Sequence, residues 1–435
     1  IPLQFNFTAM SAKFTTLAKA PGWWALVRPT LFPTVIAFAF FLGTDVSFSL
    51  GLSQIVVVPI LAALLTAGVE VKSDYMTGGT SSWQKFGSFL GIGLLLLYTG
   101  RRYYWGVLRS AITFRKDTES ENYAAWACRI LLLAMAALVG ILISLGLDWP
   151  FAVLMVLLIL LMFVVMARIN AESGLFFCQP YWQPLAVLFG LFGVTALGPE
   201  AMVTCGLLCA VLTIDPRECL MPFLVNGLKI CDTVDVRPAR FGWKAALTFV
   251  LAVAVALPIV LWSNYNHGAP KEDGWATVTV PKYPFQAGEA AVTRLRQANE
   301  LEKSKEMSTW QRLGGLFQPH EEKSKFLWAT GIGLALVLVF SVLRLRFTWW
   351  PIHPVMFLVW DSYPLWVFSH SFLLGWLIKL LVTKFGGVSA YRSTRVVMIG
   401  SIAGDLLGGL IFMAIGWIYY SVTGVQPKPY NIFPR

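Results

Sequence analysis

Charged residues are scarce in this sequence. Asp, Glu, Lys and Arg make up 13% of its 435 residues, which is about half the share usual in soluble domains. Hydrophobic residues make up 57%, and they recur in continuous runs that are long enough to cross a bilayer. Continuous runs exclude an outer-membrane barrel, whose strands alternate apolar and polar positions. The composition therefore predicts an all-α, polytopic membrane helical bundle.

The sequence also lacks the common signatures of catalytic and metal sites. It has no C-x-x-C pair, no phosphate-binding glycine loop, no H-E-x-x-H and no G-x-S-x-G. Its four histidines include no pair at helical spacing. We therefore expect no enzymatic activity, no cofactor and no metal site.

The net charge of +11 is not gathered into one basic patch. Lys and Arg are spread over the flanks of the apolar runs, where they fit anchoring on the cytoplasmic side and contact with anionic lipid headgroups. Nucleic-acid binding would require a clustered basic face. The expected partner is the lipid bilayer, and nucleic acid is not expected.

Three regions are predicted along the chain. Residues 1–263 form a first membrane region with broken helices, residues 264–325 form an extramembrane insert, and residues 326–435 form a C-terminal membrane region. Short hydrophobic segments interrupted by Pro or Gly, such as those on either side of Gly198-Pro199, predict discontinuous or re-entrant helices. Such interruptions indicate transporter binding sites in membrane proteins.

A polar stretch that ends in glycine, Arg168–Gly174, directly follows the apolar run Phe151–Ala167. The chain then continues apolar and aromatic, so we expect the helix to break at Arg168 and the polar stretch to be held within protein near membrane depth. Arg168 and Glu172 are four residues apart and pair with each other if the helix persists. In the alternative, Arg168 binds a substrate carboxylate while Glu172 or Glu218 takes up a proton.

Two further interruptions carry ionisable side chains. The apolar span Phe32–Val69 predicts a pair of helices, in which Asp45 is either an N-cap or a site carboxylate. Thr213 or Asp215 is expected to cap a helix over residues 216–230 that has Pro216 at its first position. The residues predicted to line a substrate or ion pathway are Arg168, Asn170, Glu172, Asp45, Asp215, Arg217, Glu218 and Asp405.

Three glycines recur every four residues near the C-terminus, at Gly400, Gly404 and Gly408. This spacing predicts a close-packing face between helices. Asp405 lies on that face, where it is either hydrogen-bonded structurally or a carrier of a proton or ion.

The stretch Ala167–Gly174 resembles the A-R-I-x-A-E-x-G segment of a group of uncharacterised bacterial and archaeal membrane proteins. Those proteins look like distant members of the oligopeptide transporter (OPT) superfamily. Similar stretches follow in the same order along the chain, at Asp45–Leu50, Tyr265–Ala269, Trp350–Pro354, Gly375–Lys379, Gly386-Gly387, Tyr391-Arg392 and Asn431–Pro434. The resemblance implies a secondary transporter of the prokaryotic inner (plasma) membrane, with proton-coupled uptake of small peptides or metal chelates.

The chain resembles the C-terminal two thirds of these proteins, which carry several more membrane helices before the region where it begins. The resemblance therefore implies a further membrane chain that supplies those helices, or a larger complex. The alternative function is a structural or anchoring transmembrane subunit of a larger membrane complex. In that case the same charges are paired and no transport takes place.

Overall fold

The computed structural model describes residues 2–71, 73–113, 122–175, 177–215, 219–269, 274–425 and 427. Among these residues, the only sheet is the antiparallel pair of β1 (Leu3–Gln4) and β2 (Thr30–Leu31). The rest of the regular structure is helical. The α-helices are α1 (Trp23–Val27), α2 (Pro33–Phe41), α3 (Thr44–Thr66), α4 (Thr80–Thr113), α5 (Asn122–Ser144), α6 (Trp149–Ser173), α7 (Pro184–Leu212), α8 (Leu220–Thr233), α9 (Pro238–Ser263), α10 (Lys282–Gln297), α11 (Leu301–Glu306), α12 (Thr309–Gly314), α13 (Glu321–Arg346), α14 (Met356–Val359) and α15 (Tyr363–Thr423).

Seven helices of the described residues are long and apolar enough to cross a membrane. They are α3, α5, α6, α7, α9 with the turn after it, α13 and α15. α15 has 61 residues and is divided at Gly387, whose φ of 64° is not helical. The all-α polytopic fold with discontinuous helices is therefore confirmed.

The chain divides into two compact units. The first unit comprises residues 1–72, 173–179 and 336–435, and the second comprises residues 73–172 and 180–335.

In the first unit, glycines let α15 approach α2 and α3 closely. A Cβ built on Gly51 of α3 would lie 2.7 Å from the Cα of Leu373. A Cβ built on Gly375 of α15 would lie 2.5 Å from the carbonyl oxygen of Ile36 in α2. Only glycine fits at such backbone approaches, as at small-residue helix crossings in membranes.

The contacts along α15 show that α2 and α3 form a helical hairpin. Gly51 meets Leu373, and the ring of Phe48 lies 4.8 Å from that of Trp376, so α3 runs antiparallel to this part of α15. Phe32 meets Phe368 and Ile36 meets Gly375, so α2 runs parallel to it. The hairpin turns at Leu42-Gly43. The nine residues of α2 span only ~14 Å, which is too short to cross a hydrocarbon core of about 30 Å.

In the second unit, α7 is broken twice, at Gly193 (φ 73°) and Gly198 (φ 74°). The break at Gly198 was predicted, and the one at Gly193 was not. Arg312 of α12 donates to the two carbonyls that the second break exposes, those of Ala196 (3.0 Å) and Leu197 (2.8 Å). The same guanidinium lies 3.3 Å from the Asp148 carboxylate. Arg312, within the predicted insert, thus holds α12 against the broken helix.

Several predicted boundaries are wrong. α6 does not end at Arg168 but continues to Ser173, and the chain leaves the helix at Gly174, which has a φ of 67°. The next short helix, α8, begins at Leu220 with Cys219 as its N-cap. Pro222 lies in its first turn, where its missing N–H would be unbonded anyway. Thr213 is the C-cap of α7 and does not cap α8.

Candidate functional site

The hairpin turn of the first unit carries a group of charged side chains, which we call the tip site: Leu42, Asp45, Arg344 and Lys379. The ammonium of Lys379, on α15, donates to the carbonyl oxygen of Leu42 at 2.5 Å. That carbonyl lies just beyond the end of α2, where the last carbonyls of a helix have no partner within it. Lys379 therefore caps the C-terminal end of the short helix, and its positive charge interacts favourably with the negative end of the helix dipole.

Asp45 lies in the first turn of α3, whose N-cap is Gly43. The prediction of Asp45 as the N-cap is therefore wrong. In the first turn its carboxylate faces the positive end of the helix dipole, which stabilises it. Arg344, near the end of α13, donates to Asp45 from Nε (3.1 Å) and from a terminal nitrogen (2.8 Å). Both nitrogens contact the same carboxylate oxygen, Oδ2, in a charge-assisted contact.

The turn itself is held by a buried hydroxyl and a close glycine. Ser47 is fully buried, and its Oγ lies 2.7 Å from the carbonyl oxygen of Ala39 and 3.1 Å from that of Gly43. A Cβ built on Gly174 would lie 2.9 Å from the side chain of Leu42. The glycine that ends the polar stretch of the sequence thus reaches the hairpin turn.

In the second unit, the polar end of α6 is tied locally. Arg168 Nε donates to Glu172 at 3.0 Å, with half of the arginine side chain exposed. This i, i+4 pair is the one that the sequence allows if the helix persists. Asn226 of α8 donates to the side-chain oxygen of Asn170 at 2.6 Å. Three of the predicted pathway residues thus lie together on the last two turns of α6.

A fully buried lysine of the second unit was missed by the sequence analysis. Lys85 of α4 has no exposed surface; its ammonium donates to Ser81 at 2.9 Å and lies 4.8 Å from the ring centre of Tyr181. Tyr181 has a φ of 58°, a strained conformation for a residue with a side chain. Strained residues cluster at functional sites, so the contact between buried Lys85 and Tyr181 marks a candidate site.

Aromatic rings extend this region toward the end of α7. Tyr75 lies 5.6 Å from Tyr181 and stacks on Tyr283 at 5.2 Å. The Tyr75 hydroxyl donates to the carbonyl oxygen of Ile214, the residue before Asp215. Burial, with a smaller effect of the negative charge of Asp74, raises the pKa of Tyr283 above its usual range. Asp215 therefore adjoins a neutral aromatic cluster.

Asp405 is hydrogen-bonded, since Thr34 donates to its carboxylate at 2.7 Å. This contact agrees with the structural alternative. The predicted packing face beside it is wrong, because a Cβ on Gly400, Gly404 or Gly408 would meet no described atom within 4 Å. Spacing alone does not show which face of a helix is covered.

The predicted residues belong to both units. Asp45 and Asp405 belong to the first unit, and Arg168, Asn170, Glu172 and Asp215 belong to the second. Arg217 and Glu218 lie outside the described residues. Within the described ranges, no three His, Cys, Asp or Glu side chains are grouped to hold a metal.

Lys379 and Arg344 were also missed as site residues. Both stand at the ends of apolar runs, where a basic side chain usually reaches for the membrane surface. One signal in the sequence could have indicated Lys379 as a site residue. Gly375 lies one turn earlier on the same helix, and a glycine there suggests a close-packed face.

A family model described as "Family of unknown function (DUF6785)" matches residues 9–427. A search of curated proteins finds no match, and a search of solved structures finds none. Since the matched residues cover nearly the whole sequence, the chain belongs to this family of unknown function.

Proposed function

We propose that this chain is a multi-pass secondary transporter of the prokaryotic inner membrane, similar to the OPT superfamily. The observation that carries the proposal is the α2–α3 hairpin, because its turn brings the tip site between apolar helices. Irregular backbone at membrane depth is tolerated where it is buried in protein or lines a cavity. Ionisable groups there mark substrate or ion pathways.

The breaks in other helices support the same function. α7 is interrupted at Gly193 and Gly198, and α15 at Gly387. Discontinuous helices are the usual source of transporter binding sites, because their free ends present dipoles and backbone groups to a ligand.

The chemistry of the tip site fits a small peptide. Lys379 and Arg344 carry positive charges that suit a terminal carboxylate, and Asp45 carries a negative charge that suits a terminal amine. A metal chelate with free carboxylates presents the same groups. Binding would exchange the contacts between Asp45 and Arg344 for contacts to the ligand. Glu172 is the described carboxylate proposed to take up the coupled proton.

A second candidate is a structural or anchoring subunit of a larger membrane complex. α9 has no buried residue, and α5 buries only Ala125 and Leu142. These apolar surfaces suit lipid or the helices of a further membrane chain. The pairing of Arg168 with Glu172 is also what this candidate predicts.

Uptake by the purified chain in proteoliposomes tests the proposal. A labelled tripeptide is supplied outside, with and without an inward proton gradient. Gradient-dependent uptake is expected, and Lys379→Met and Asp45→Asn are expected to abolish it, since each removes one charge of the tip site.

The matched control is Asp232→Asn. Asp232 also pairs with a basic side chain, Lys229 at 2.8 Å, but both are largely exposed, so uptake should not change. Equal uptake by the native chain and both tip-site variants would remove the basis of the proposal. The native chain alone could show no uptake and regain it once co-purifying membrane chains are included. That result would place the activity in a complex.

A further inference from the structure

Two side chains of the first unit are fully enclosed yet make no hydrogen bond to any described residue. Gln54 of α3 has no exposed surface, and neither atom of its amide has a partner. Ser369 of α15 is 2% exposed, and its hydroxyl also has none. Buried polar groups in proteins are nearly always paired with protein or ordered water.

The two groups lie at the same level of one helix crossing. α3 and α15 run antiparallel, with Gly51 opposite Leu373 and Phe48 opposite Trp376. Moving three residues along each helix from the first of these pairs brings Gln54 opposite residues 369 and 370. His370, whose Nδ1 is buried without a partner, therefore belongs to the same level.

Gly22, in the N-terminal segment, lies next to Gln54 at this level of the crossing. A Cβ built on Gly22 would lie 3.2 Å from Gln54 Oε1 and 3.1 Å from Trp366 Nε1. Gly22 has a φ of 76°, which only glycine adopts readily. Trp366 Nε1 donates to Asp361, so the unsatisfied groups are Gln54, Ser369 and His370.

We propose that Gln54, Ser369 and His370 form an internal site for ordered water between α3 and α15. A water molecule requires two to four polar partners. These three side chains supply both hydrogen-bond donors and hydrogen-bond acceptors. None of the three is a carboxylate, so the set favours a neutral ligand over a cation. Ser53 shows the contrast, because its equally buried hydroxyl donates to its own helix at Leu50.

Hydroxyl-radical footprinting of the full chain in nanodiscs tests the site, because radicals formed from a bound water label side chains next to it. Leu50 lies one helical turn before Gln54, Phe372 lies three residues after Ser369, and both are fully buried, whereas Phe89 is equally buried in the second unit. Leu50 and Phe372 are expected to be labelled several-fold faster than Phe89. Equal protection of all three would overturn the proposal.

Variants give a second readout. Gln54→Met and Ser369→Ala are expected to reduce the labelling several-fold, since each removes a partner of the water. Ser53→Ala is the matched control and should leave the labelling unchanged. In a dry site Gln54→Met would instead raise the melting temperature, because it removes two unsatisfied groups; that result overturns the proposal. A melting temperature that depends on Na⁺ against K⁺ would identify an ion and would also overturn it.

Discussion

Replacing Gly375 by alanine should loosen the α2–α3 hairpin. The new methyl group would stand 2.5 Å from the carbonyl oxygen of Ile36 and 2.6 Å from the Cβ of Ala39, whereas ordinary contact begins near 3.4 Å. The difference between 3.4 and 2.5 Å means that α2 and α15 must move apart by about 0.9 Å. Neither neighbour is a flexible side chain, so the backbone has to give way.

Two opposing effects decide whether Gly375→Ala stabilises or destabilises the protein. Overpacking of this kind costs about 1–3 kcal/mol, and alanine in place of glycine in a helix contributes about 1 kcal/mol of stability. Gly375→Ala should therefore destabilise the protein by ~0–2 kcal/mol. Gly404→Ala, on the same helix with nothing within 4 Å, should stabilise it by up to about 1 kcal/mol.

Thermal unfolding of both variants in detergent, followed by the loss of monodisperse protein on size exclusion, measures the difference. We expect Gly375→Ala to melt below the native chain and Gly404→Ala at or above it. The shift at Gly375 should also weaken the contact between Lys379 and Leu42, so that uptake falls in the same variant. Two variants with the same melting temperature would refute the close approach of α15 to α2.

Three further outcomes are expected. Arg312→Leu should destabilise the second unit by at least ~2 kcal/mol, because two exposed carbonyls of α7 lose a charged donor; unchanged melting would contradict this. The Thr195 hydroxyl, and then Lys303, hold the pKa of Glu300 below its usual 4.5. The ionised carboxylate therefore contributes stability above pH 4.5 that disappears as the pH falls through the lowered pKa, so the melting difference between the native chain and Glu300→Gln should vanish in acid. Arg168→Ala should change stability by less than ~1 kcal/mol, since its ion pair is half exposed; a large loss on melting would show that the pair holds α6 together.

The helical, membrane-spanning character of the chain could be predicted from the sequence, because run length and composition decide it. The split of the span Phe32–Val69 into two helices was also predictable. Its form as a hairpin was not, because the direction of α2 is set by its packing on α15, through Gly375 more than 300 positions away.

The site residues were predictable only where the sequence carries the partner nearby. Arg168 and Glu172 are one turn apart, and their pairing follows from helical spacing. The partners of Asp45 and Asp405 are Arg344 and Thr34, separated by 299 and 371 positions. Such contacts depend on the packing of distant helices, which local patterns do not contain. The break at Arg168 was wrong because helix propensity continued until the first glycine.

The hydrogen bonds between Arg312 and the second break of α7 have a consequence for folding during synthesis. The two carbonyls that Arg312 satisfies precede it by 116 and 115 residues. At a synthesis rate of about 5–20 residues per second, α7 waits roughly 6–23 s for its donor. During that interval the broken segment must stay in contact with water or with the insertion machinery, because exposed backbone groups are costly in lipid. The order of synthesis thus delays the completion of α7 until α12 has been made, and a chain interrupted before α12 would leave α7 unfinished.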